Sequence, residues 1–305
     1  MICENNNSKV ILKTKGYTLS RCLSCDLIFA KKDEQNILNT EEIYSNYYKK
    51  ENASRFGSPI ERIVKIFRFI RAYKIHSLKP RAKSILDIGS GRGWMLYFLK
   101  KYFKYEKAVG TQISENAYLF SRDKLKLEIY NKDLLELSFP KKFDVITLWH
   151  VLEHVTEPEK YIERIYQLLD KDGMLFIEVP NFSSWASILT KGHWLALDLK
   201  HHLTFFTPAS ISLLLEKYNF KIKKITTFSL EYSTFTSTQS IVNLITNSDS
   251  YFFKWLENMN FNLKIIWHAF LFIILFLPCF LINLFLYFGE RGEVLTVVAQ
   301  KKDGK

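Results

Sequence analysis

The sequence predicts an α/β protein with a mostly parallel β-sheet, and two observations support this fold class. Short apolar runs of strand length alternate with segments of helical periodicity, which is typical of strand–helix–strand units. The first apolar run also ends in a glycine-rich turn that leads directly into a helix. The strands are expected at 85–87, 107–112, 127–131, 143–149, 173–180, 221–230 and 292–301.

The turn after the first of these strands has the spacing of a ligand-binding loop. Asp87 is followed by Gly89, Gly91 and Gly93, and an apolar helical pattern begins at Trp94. Glycines let the backbone approach a ligand where a Cβ atom would clash, and the helix start offers free N–H groups. A dinucleotide-binding turn has the spacing G-x-G-x-x-G. The acid before this turn therefore indicates a cationic ligand rather than a pyrophosphate.

The helix between the fourth and fifth strands has sequence signals at both ends. Thr156 and Glu159 have the spacing of a capping box, and Pro158 falls in the first turn. The Asp-Gly pair at 172–173 is expected to end the helix. Its apolar residues recur at helical spacing and are expected to face the sheet: Ile162, Ile165, Leu168 and Leu169.

Residues 81–230 resemble the class I S-adenosylmethionine (SAM) methyltransferases. The similarity is greatest to a bacterial group with His-Val-Leu-Glu-His-Val after strand four, here 150–155, and Glu-Val-Pro-Asn at strand five, here 178–181. The resemblance implies a Rossmann-like sheet of seven strands with an antiparallel last strand. It also implies SAM as the cofactor, and methylation in surface-glycan or small-metabolite pathways.

The resemblance assigns cofactor contacts residue by residue. The methionine part of SAM is expected at the glycine-rich turn, adenine at 133–134, and the methyl-transfer face at 148–150. Strand two ends in Gln112, where the family usually has an acidic residue that accepts hydrogen bonds from both ribose hydroxyls. A neutral amide accepts one such bond. It also lacks the negative charge that makes a hydrogen bond roughly twice as strong. A non-catalytic SAM-binding scaffold is therefore an alternative. The predicted cofactor-binding residues are Asp87, Gly89, Ser90, Gly91, Gly93, Gln112, Asp133, Leu134 and Trp149.

Three ionisable residues follow strand four, at the sheet edge where ligands bind in such folds. His150, Glu153 and His154 share one face if this segment forms a helical turn. An imidazole removes a hydroxyl proton near neutral pH, so His150 and His154 are candidate catalytic bases. The trio is also similar to the acid-x-x-Glu-His site of ubiquinone-type O-methyltransferases, which bind a divalent metal. A metal held by these three residues and a purely structural role are the alternatives.

A second polar cluster lies in a long loop after strand five, and loops of this length are usually functional. The segment matches the variable acceptor-side segment of the family. His202 is a further candidate base, and Trp194 is able to stack on a sugar ring. Hydrogen bonds that only hold the loop are the alternative. The expected acceptor contacts are His193, Trp194, Asp198, Lys200 and His201.

The first 45 residues resemble part of the small zinc ribbon that often precedes this methyltransferase type. Cys22 and Cys25 form one C-x₂-C pair, but Cys3 has Asn6 where its partner would stand. Structural zinc sites normally have four ligands. The alternatives are a zinc site with Cys3, Cys22 and Cys25, or a degenerate arm held by its apolar residues.

Two further segments are expected outside the core domain of 81–230. Residues 46–80 form a basic amphipathic helical lid or linker. The apolar run at 265–288 is long enough to cross a membrane, but the predicted last strand follows it, and a single crossing would put that strand on the wrong side. The run is therefore predicted to belong to an insertion, 231–288, in which Pro278 separates two short helices that dip into one leaflet. A dimer interface or a core helix are the alternatives.

Composition restricts the partners and the compartment. The 43 Lys and Arg residues against 31 Asp and Glu give a net charge of +12, which favours anionic partners such as lipid headgroups. The basic residues form no long block, so nucleic acid is not expected. The four cysteines show no evident pairing, and the polar start does not resemble a signal peptide. The protein is expected in the cytoplasm, peripheral on the inner face of the cytoplasmic membrane.

These observations combine into one predicted function. The protein is expected to be a SAM-dependent methyltransferase that O-methylates a sugar or a lipid-linked glycan intermediate. His150 or His202 would accept the proton, and catalysis would depend largely on positioning. Three alternatives remain: a C-methyltransferase on a nucleotide keto-sugar, a quinone or lipid O-methyltransferase, and the scaffold.

Overall fold

The computed structural model describes residues 7–33, 58–258 and 262–302. Its strands are β1 (Ser8–Thr14), β2 (Tyr17–Cys22), β3 (Ile28–Lys32), β4 (Ser84–Ile88), β5 (Lys107–Thr111), β6 (Glu128–Tyr130), β7 (Phe143–Trp149), β8 (Leu169–Pro180), β9 (Thr204–Phe205), β10 (Phe220–Thr226) and β11 (Val294–Lys301). Its α-helices are α1 (Ser58–Leu78), α2 (Trp94–Tyr102), α3 (Glu115–Leu119), α4 (Pro158–Leu168), α5 (Trp185–Thr190), α6 (Pro208–Lys217), α7 (Ser233–Thr246), α8 (Tyr251–Asn258) and α9 (Lys264–Phe285).

The predicted mostly parallel sheet is confirmed. Seven strands lie in the order β10-β11-β8-β7-β4-β5-β6. Strands β4 to β8 pair in parallel, whereas β11 runs antiparallel to both of its neighbours, β8 and β10. The chain order reverses beside β4, which places a ligand crevice at the carboxyl ends of β4 and β7.

Apolar helix faces cover the sheet on both sides. Ala72 and Ile75 of α1 pack with Leu96 and Leu99 of α2 against one face. On the other face, α4 and α6 bury a second set of apolar side chains. The four residues predicted to face the sheet from the helix before β8 are all buried: Ile162, Ile165, Leu168 and Leu169.

The ends of α4 differ from the prediction. The helix begins at Pro158 with Glu157 in the N-cap position, and no side chain caps it. The predicted capping box of Thr156 and Glu159 is therefore wrong, because the N-cap lies one residue further along the chain. The helix also ends before 172–173, since strand β8 already begins at Leu169 and pairs there with Phe143.

The N-terminal arm is a three-stranded antiparallel meander, β1-β2-β3. It is joined to the main domain because Ile28 of β3 pairs with Phe205 of β9. Cys22 and Cys25 are buried at its end, while Cys3 lies outside the described residues. The zinc site of the arm stays a prediction.

The segment between β10 and β11 is helical, and its last helix differs from the prediction. The expected two short helices are one continuous helix, α9, with Pro278 inside it. A single helix lets one face remain in contact with the protein on both sides of the proline, through His268 and Phe272 before it and Cys279 and Asn283 after it. Helix α9 is long and apolar enough to cross a membrane by length and composition, with a mean hydropathy of 2.6, and 22% of that apolar window is buried.

Candidate active site

A cavity of about 710 Å³ lies at the carboxyl ends of β4, β5 and β7. Its floor is formed by the segments that follow these strands. Side chains of α1, α7 and α8 close it from above. A cavity of this size falls in the range that holds small-molecule ligands.

The turn between β4 and α2 presents its backbone to this cavity. Gly89, Gly91 and Gly93 all have positive φ angles, of 68°, 55° and 72°. A Cβ atom on Gly89 would lie 2.5 Å from a methyl carbon of Val151. The turn therefore needs glycine both for its conformation and for its close packing.

Asp87 supplies a buried carboxylate beside this turn. The hydroxyl of Thr147 donates a hydrogen bond of 2.6 Å to it. Burial raises the pKa of Asp87 to about 7, although the bond from Thr147 and the charge of Arg71 act in the opposite direction. A cationic amino group beside it would restore the charged form. The carboxylate and the glycine cradle thus fit the methionine part of SAM.

Most of the predicted cofactor residues line the cavity, and Gly93 lies beneath it as the N-cap of α2. Asp133 accepts hydrogen bonds from the backbone N–H of Leu135 and the hydroxyl of Tyr161. The side-chain oxygen of Gln112, Oε1, accepts a hydrogen bond of 3.0 Å from the backbone N–H of Ser114. This oxygen has a second lone pair, so the acceptor role toward a ribose that the sequence indicates stays a prediction.

His150 occupies a strained position immediately after β7. Its φ angle is 55°, and its backbone N–H donates to the carbonyl oxygen of Glu178 at 2.8 Å. The ring nitrogens lie 3.3 Å from carboxylate oxygens of Glu153 and Glu178. Burial alone would lower the pKa of His150, but Tyr232 and these two carboxylates raise it to about 10. The imidazole is therefore protonated at neutral pH, which disfavours its predicted role as a base.

A buried ion-pair network extends from His150 to α1. Arg71 lies 3.0 Å from Glu178 and 2.9 Å from Glu231, and Arg68 donates to both oxygens of Glu231 at 2.8 Å. The Arg71 guanidinium also lies 4.4 Å from the centre of the Trp149 ring. The sequence did not single out these arginines or Glu231, since the partners are more than 100 positions apart in the chain.

The predicted metal-ligating trio is rearranged in the structure. Among the described residues, the group of side chains able to hold a metal ion is Glu153, His154 and His202, with one ligand atom from each within 4.8 Å of the others. His150 is not in this group, because it pairs with Glu178 and Glu153 instead. His202 reaches it from the loop after β8. The two sequence clusters therefore form one centre.

Backbone hydrogen bonds set the tautomers of both imidazoles. Nδ1 of His154 lies 3.0 Å from the carbonyl oxygen of His201, and Nδ1 of His202 lies 2.9 Å from that of Ala196. A carbonyl oxygen only accepts, so each Nδ1 carries a proton and each neutral ring has its lone pair on Nε2. Burial, with the charge of His202, lowers the pKa of His154 to about 4. His154 is thus neutral at pH 7.

Glu153 is the acidic member of this centre and is only 1% exposed. Within the described part of the chain, neither of its carboxylate oxygens has a partner in hydrogen-bonding geometry. Burial would raise its pKa, but His150 and His154 lower it below the usual value. A buried, ionised carboxylate needs a cation beside it, and the protonated imidazole of His150 lies 3.3 Å from Oε1 on one side. One carboxylate and two imidazole Nε2 atoms fit a divalent metal such as Zn²⁺ or Mn²⁺ better than Mg²⁺.

The predicted acceptor contacts divide into two groups. Asp198 and His201 line the cavity, and their side chains pair at 2.7 Å. Burial would raise the pKa of Asp198, but His201 and His202 lower it to about 2. His193, Trp194 and Lys200 do not line the cavity. The expectation that Trp194 stacks on a sugar is wrong, because the ring is 3% exposed and its Nε1 donates to Glu293 at 3.2 Å.

Comparisons with known proteins agree with this fold and cavity. Residues 60–225, more than half of the chain, match the family model of the methyltransferase domain. The chain therefore belongs to this family. Together, the fold and the glycine cradle define it as a class I SAM-dependent methyltransferase, with SAM as its cofactor.

Two curated relatives illustrate the similarity. A ubiquinone biosynthesis O-methyltransferase of Pelagibacter ubique (strain HTCC1062) is 27% identical over 169 residues, which cover 51% of this chain and 70% of the relative. A demethylmenaquinone methyltransferase of Bacteroides fragilis (strain YCH46) is 30% identical over 121 residues, which cover 37% of this chain and 49% of the relative. The matched regions thus span 70% and 49% of the lengths of these two relatives.

Two solved structures are similar to this chain at low sequence identity. A SAM-dependent methyltransferase from Archaeoglobus fulgidus is 19% identical, with a TM-score of 0.48, covering 77% of this chain and 94% of the other. The plantazolicin methyltransferase in complex with SAH is 20% identical, with a TM-score of 0.49, covering 79% and 86%.

Proposed function

We propose that the protein O-methylates a hydroxyl group of a membrane-borne acceptor. The observation that carries this proposal is the centre of Glu153, His154 and His202, which shares one cavity with the glycine cradle. SAM supplies an electrophilic methyl group on a sulfonium. The acceptor oxygen forms the new bond to that methyl carbon as the carbon–sulfur bond breaks, so the protein must hold the hydroxyl in line and remove its proton.

His202 is the residue to which we assign the proton. Its Nδ1–H is fixed by Ala196, so Nε2 is the basic atom. His150 has a different role, because its raised pKa keeps it charged; it balances Glu153 and Glu178. If a divalent metal is present, Glu153, His154 and His202 would hold it, and the metal would lower the pKa of the bound hydroxyl. In that case the proton leaves to solvent.

The residues around this centre favour a phenolic acceptor over a sugar. Trp194, the residue expected to stack on a sugar ring, is buried and does not line the cavity. Lys200 also lies outside the cavity. Several curated relatives are named ubiquinone biosynthesis O-methyltransferases. A lipid-linked sugar is the second candidate, supported by the polar Asp198–His201 pair at the cavity wall.

Helix α9 supports a location at a membrane surface. In a soluble protein, the polar face of a surface helix points outward. Here the polar residues face inward, since Asn283 donates to Ser237 at 2.8 Å and accepts from Trp185 at 3.1 Å. Its outward face consists of exposed apolar side chains: Ile266, Trp267, Phe270, Ile273, Ile274, Leu277, Leu281, Leu284 and Phe285.

The topology and the charge of the chain favour contact with one leaflet over a crossing. Strand β11 follows α9 and returns to the sheet between β8 and β10, so both ends of the helical segment are tied to one domain. The net charge of +12 favours an anionic surface. We therefore place the protein peripherally on the inner face of the cytoplasmic membrane.

The test is a methyl-transfer assay with the purified full chain. We expect SAH to form with a catechol and Zn²⁺ or Mn²⁺ present, and much less with a nucleotide sugar. The variant His202→Gln should lose this activity, while His201→Gln, the neighbouring imidazole, should keep more of it. More SAH formed with the nucleotide sugar than with the catechol would reject a phenolic acceptor.

Membrane contact is tested separately by flotation with vesicles that contain phosphatidylglycerol. The double variant Ile273→Lys and Leu277→Lys should fail to float, while Leu263→Lys, at the N-cap position before the same helix, should still float. Flotation of all three proteins alike, or a dimer of the wild-type chain that the double variant breaks, would reject the lipid contact.

A further inference from the structure

The cavity has an apolar arm that the chemistry described above does not use. Apolar side chains of three helices line it: Val64 and Phe67 of α1, Phe235 of α7, and Phe253 and Leu256 of α8. All five side chains are partly exposed. An apolar surface kept open inside a cavity costs free energy unless an apolar ligand covers it.

The charged residues near this arm are already paired. Glu61 binds Arg92, and Arg68 binds Glu231. The two charges within each pair offset each other. The arm therefore offers a ligand mainly apolar contact.

The arm leads toward the outer face of α9 through a row of aromatic rings. The Phe235 ring lies 5.9 Å from that of Phe253 and 5.2 Å from that of Phe272 on α9. Phe272 in turn lies 5.9 Å from Phe276. Phe276 is 42% exposed on the helix. Apolar contact is thus continuous from this arm of the cavity to the face that we assign to the membrane.

We propose that this arm binds the hydrocarbon tail of the acceptor, so that the substrate is an amphipathic lipid with a hydroxylated head. The head lies at Glu153, His154 and His202, and the tail extends between α1 and α8 toward α9. This inference rests on the proposed function. It narrows the substrate to molecules that partition into a bilayer, and it gives the arm and α9 one common purpose.

The experiment compares catechol, butylcatechol and octylcatechol as acceptors for the full chain, below the concentration at which octylcatechol forms micelles. Each methylene that enters the arm should raise kcat/KM about fourfold until the arm is full. Calorimetry of the same three probes in the presence of SAH measures binding without turnover. The affinities should follow the same order.

Two variants test whether the arm is responsible. Phe253→Gln makes one wall polar, and Val64→Phe narrows the arm while keeping it apolar. Both should lower kcat/KM for octylcatechol at least tenfold more than for catechol. Leu244→Gln, an exposed leucine on α7 outside the cavity, is the matched control and should keep the tail dependence. Thermal unfolding shows whether each variant is folded.

The outcomes separate this inference from the proposed function. Equal kcat/KM and equal affinity for all three probes would overturn the tail site while leaving O-methylation in place. A second outcome is that no probe is methylated, but octylcatechol binds more tightly than catechol and Phe253→Gln removes this difference in affinity. That result would reject the proposed function and support the tail site in the arm. If Phe253→Gln and Leu244→Gln bind octylcatechol with the same affinity, the arm is not the tail-binding site.

Discussion

Nδ1 of His202 lies 2.9 Å from the carbonyl oxygen of Ala196, and this hydrogen bond decides which ring nitrogen is basic. The two residues are six positions apart in the same loop, so the conformation of this loop sets the tautomer of His202. The same arrangement recurs at His154, whose Nδ1 lies 3.0 Å from the carbonyl oxygen of His201. Two imidazoles are thus prepared to present Nε2 beside Glu153, as ligands to a metal or as bases.

Metal binding gives the first prediction. Titration of the full chain with Mn²⁺ or Zn²⁺ should show one site, and Glu153→Gln should weaken it by at least about tenfold, because a neutral amide replaces the only anionic ligand. The control is Asp198→Asn, which removes a nearby carboxylate outside the trio. Equal affinity in the wild type and in Glu153→Gln would contradict the site. A chelator should lower activity only if the metal takes part in turnover.

The sequence predicted the sheet because each strand and helix carries its signal locally. Alternating apolar runs specify the order of elements, and the glycine spacing after Asp87 specifies the cradle. The active centre was predicted only in part. His154 and His202 stand 48 positions apart, and their segments meet where the N–H of Leu203 donates to the carbonyl oxygen of Glu153 at 2.8 Å. Arg71 and Glu231 could not be predicted, since no local pattern distinguishes a buried ion pair from a solvated charge.

Cofactor binding should depend on pH through Asp87. Its pKa is raised to about 7 by burial, so the cofactor-free carboxyl must lose a proton before it binds a cationic amino group. The dissociation constant for SAM should therefore be about tenfold weaker at pH 6 than at pH 8. Isothermal titration across this range measures it. Asp87→Asn should bind weakly at both pH values, and an unchanged pH dependence in that variant would assign the titration to another group.

The same raised pKa affects stability without cofactor. The folded protein holds the Asp87 proton more tightly than the unfolded chain does, because the pKa rises from 3.8 to about 7 on folding. This tighter proton binding at Asp87 stabilises the folded state. The stabilisation is complete below about pH 4 and is lost as the pH rises through 7. Urea unfolding of Asp87→Asn should show a smaller loss of stability over this interval than the wild type. Parallel curves for the two proteins would contradict the prediction.

The glycine cradle should not tolerate a methyl group. In Gly89→Ala the new Cβ meets Val151 at 2.5 Å and the φ of 68° becomes strained, so the turn must shift. We expect SAM affinity to fall more than tenfold, in line with a loss of about 2 kcal/mol. Gly16→Ala is the matched control, since its φ of 74° is similar but no atom lies within 4 Å of the added Cβ. It should lose about 1–2 kcal/mol of stability and no SAM affinity.

The buried network around Arg71 should matter more for stability than any exposed ion pair. Arg71→Met leaves Glu178 with His150 and the hydroxyl of Thr296, and it removes one of the two guanidinium groups at Glu231. Breaking a buried pair in this way costs about 3–5 kcal/mol. Lys15→Met removes the exposed partner of Asp249, at 2.6 Å, and should cost less than about 1 kcal/mol. Urea unfolding at neutral pH measures both. Adding Glu178→Gln to Arg71→Met should recover part of the loss, because it removes the carboxylate that has lost Arg71, whereas Glu231 still pairs with Arg68. A double variant that is less stable by the full sum of the two single changes would show that the two side chains contribute independently.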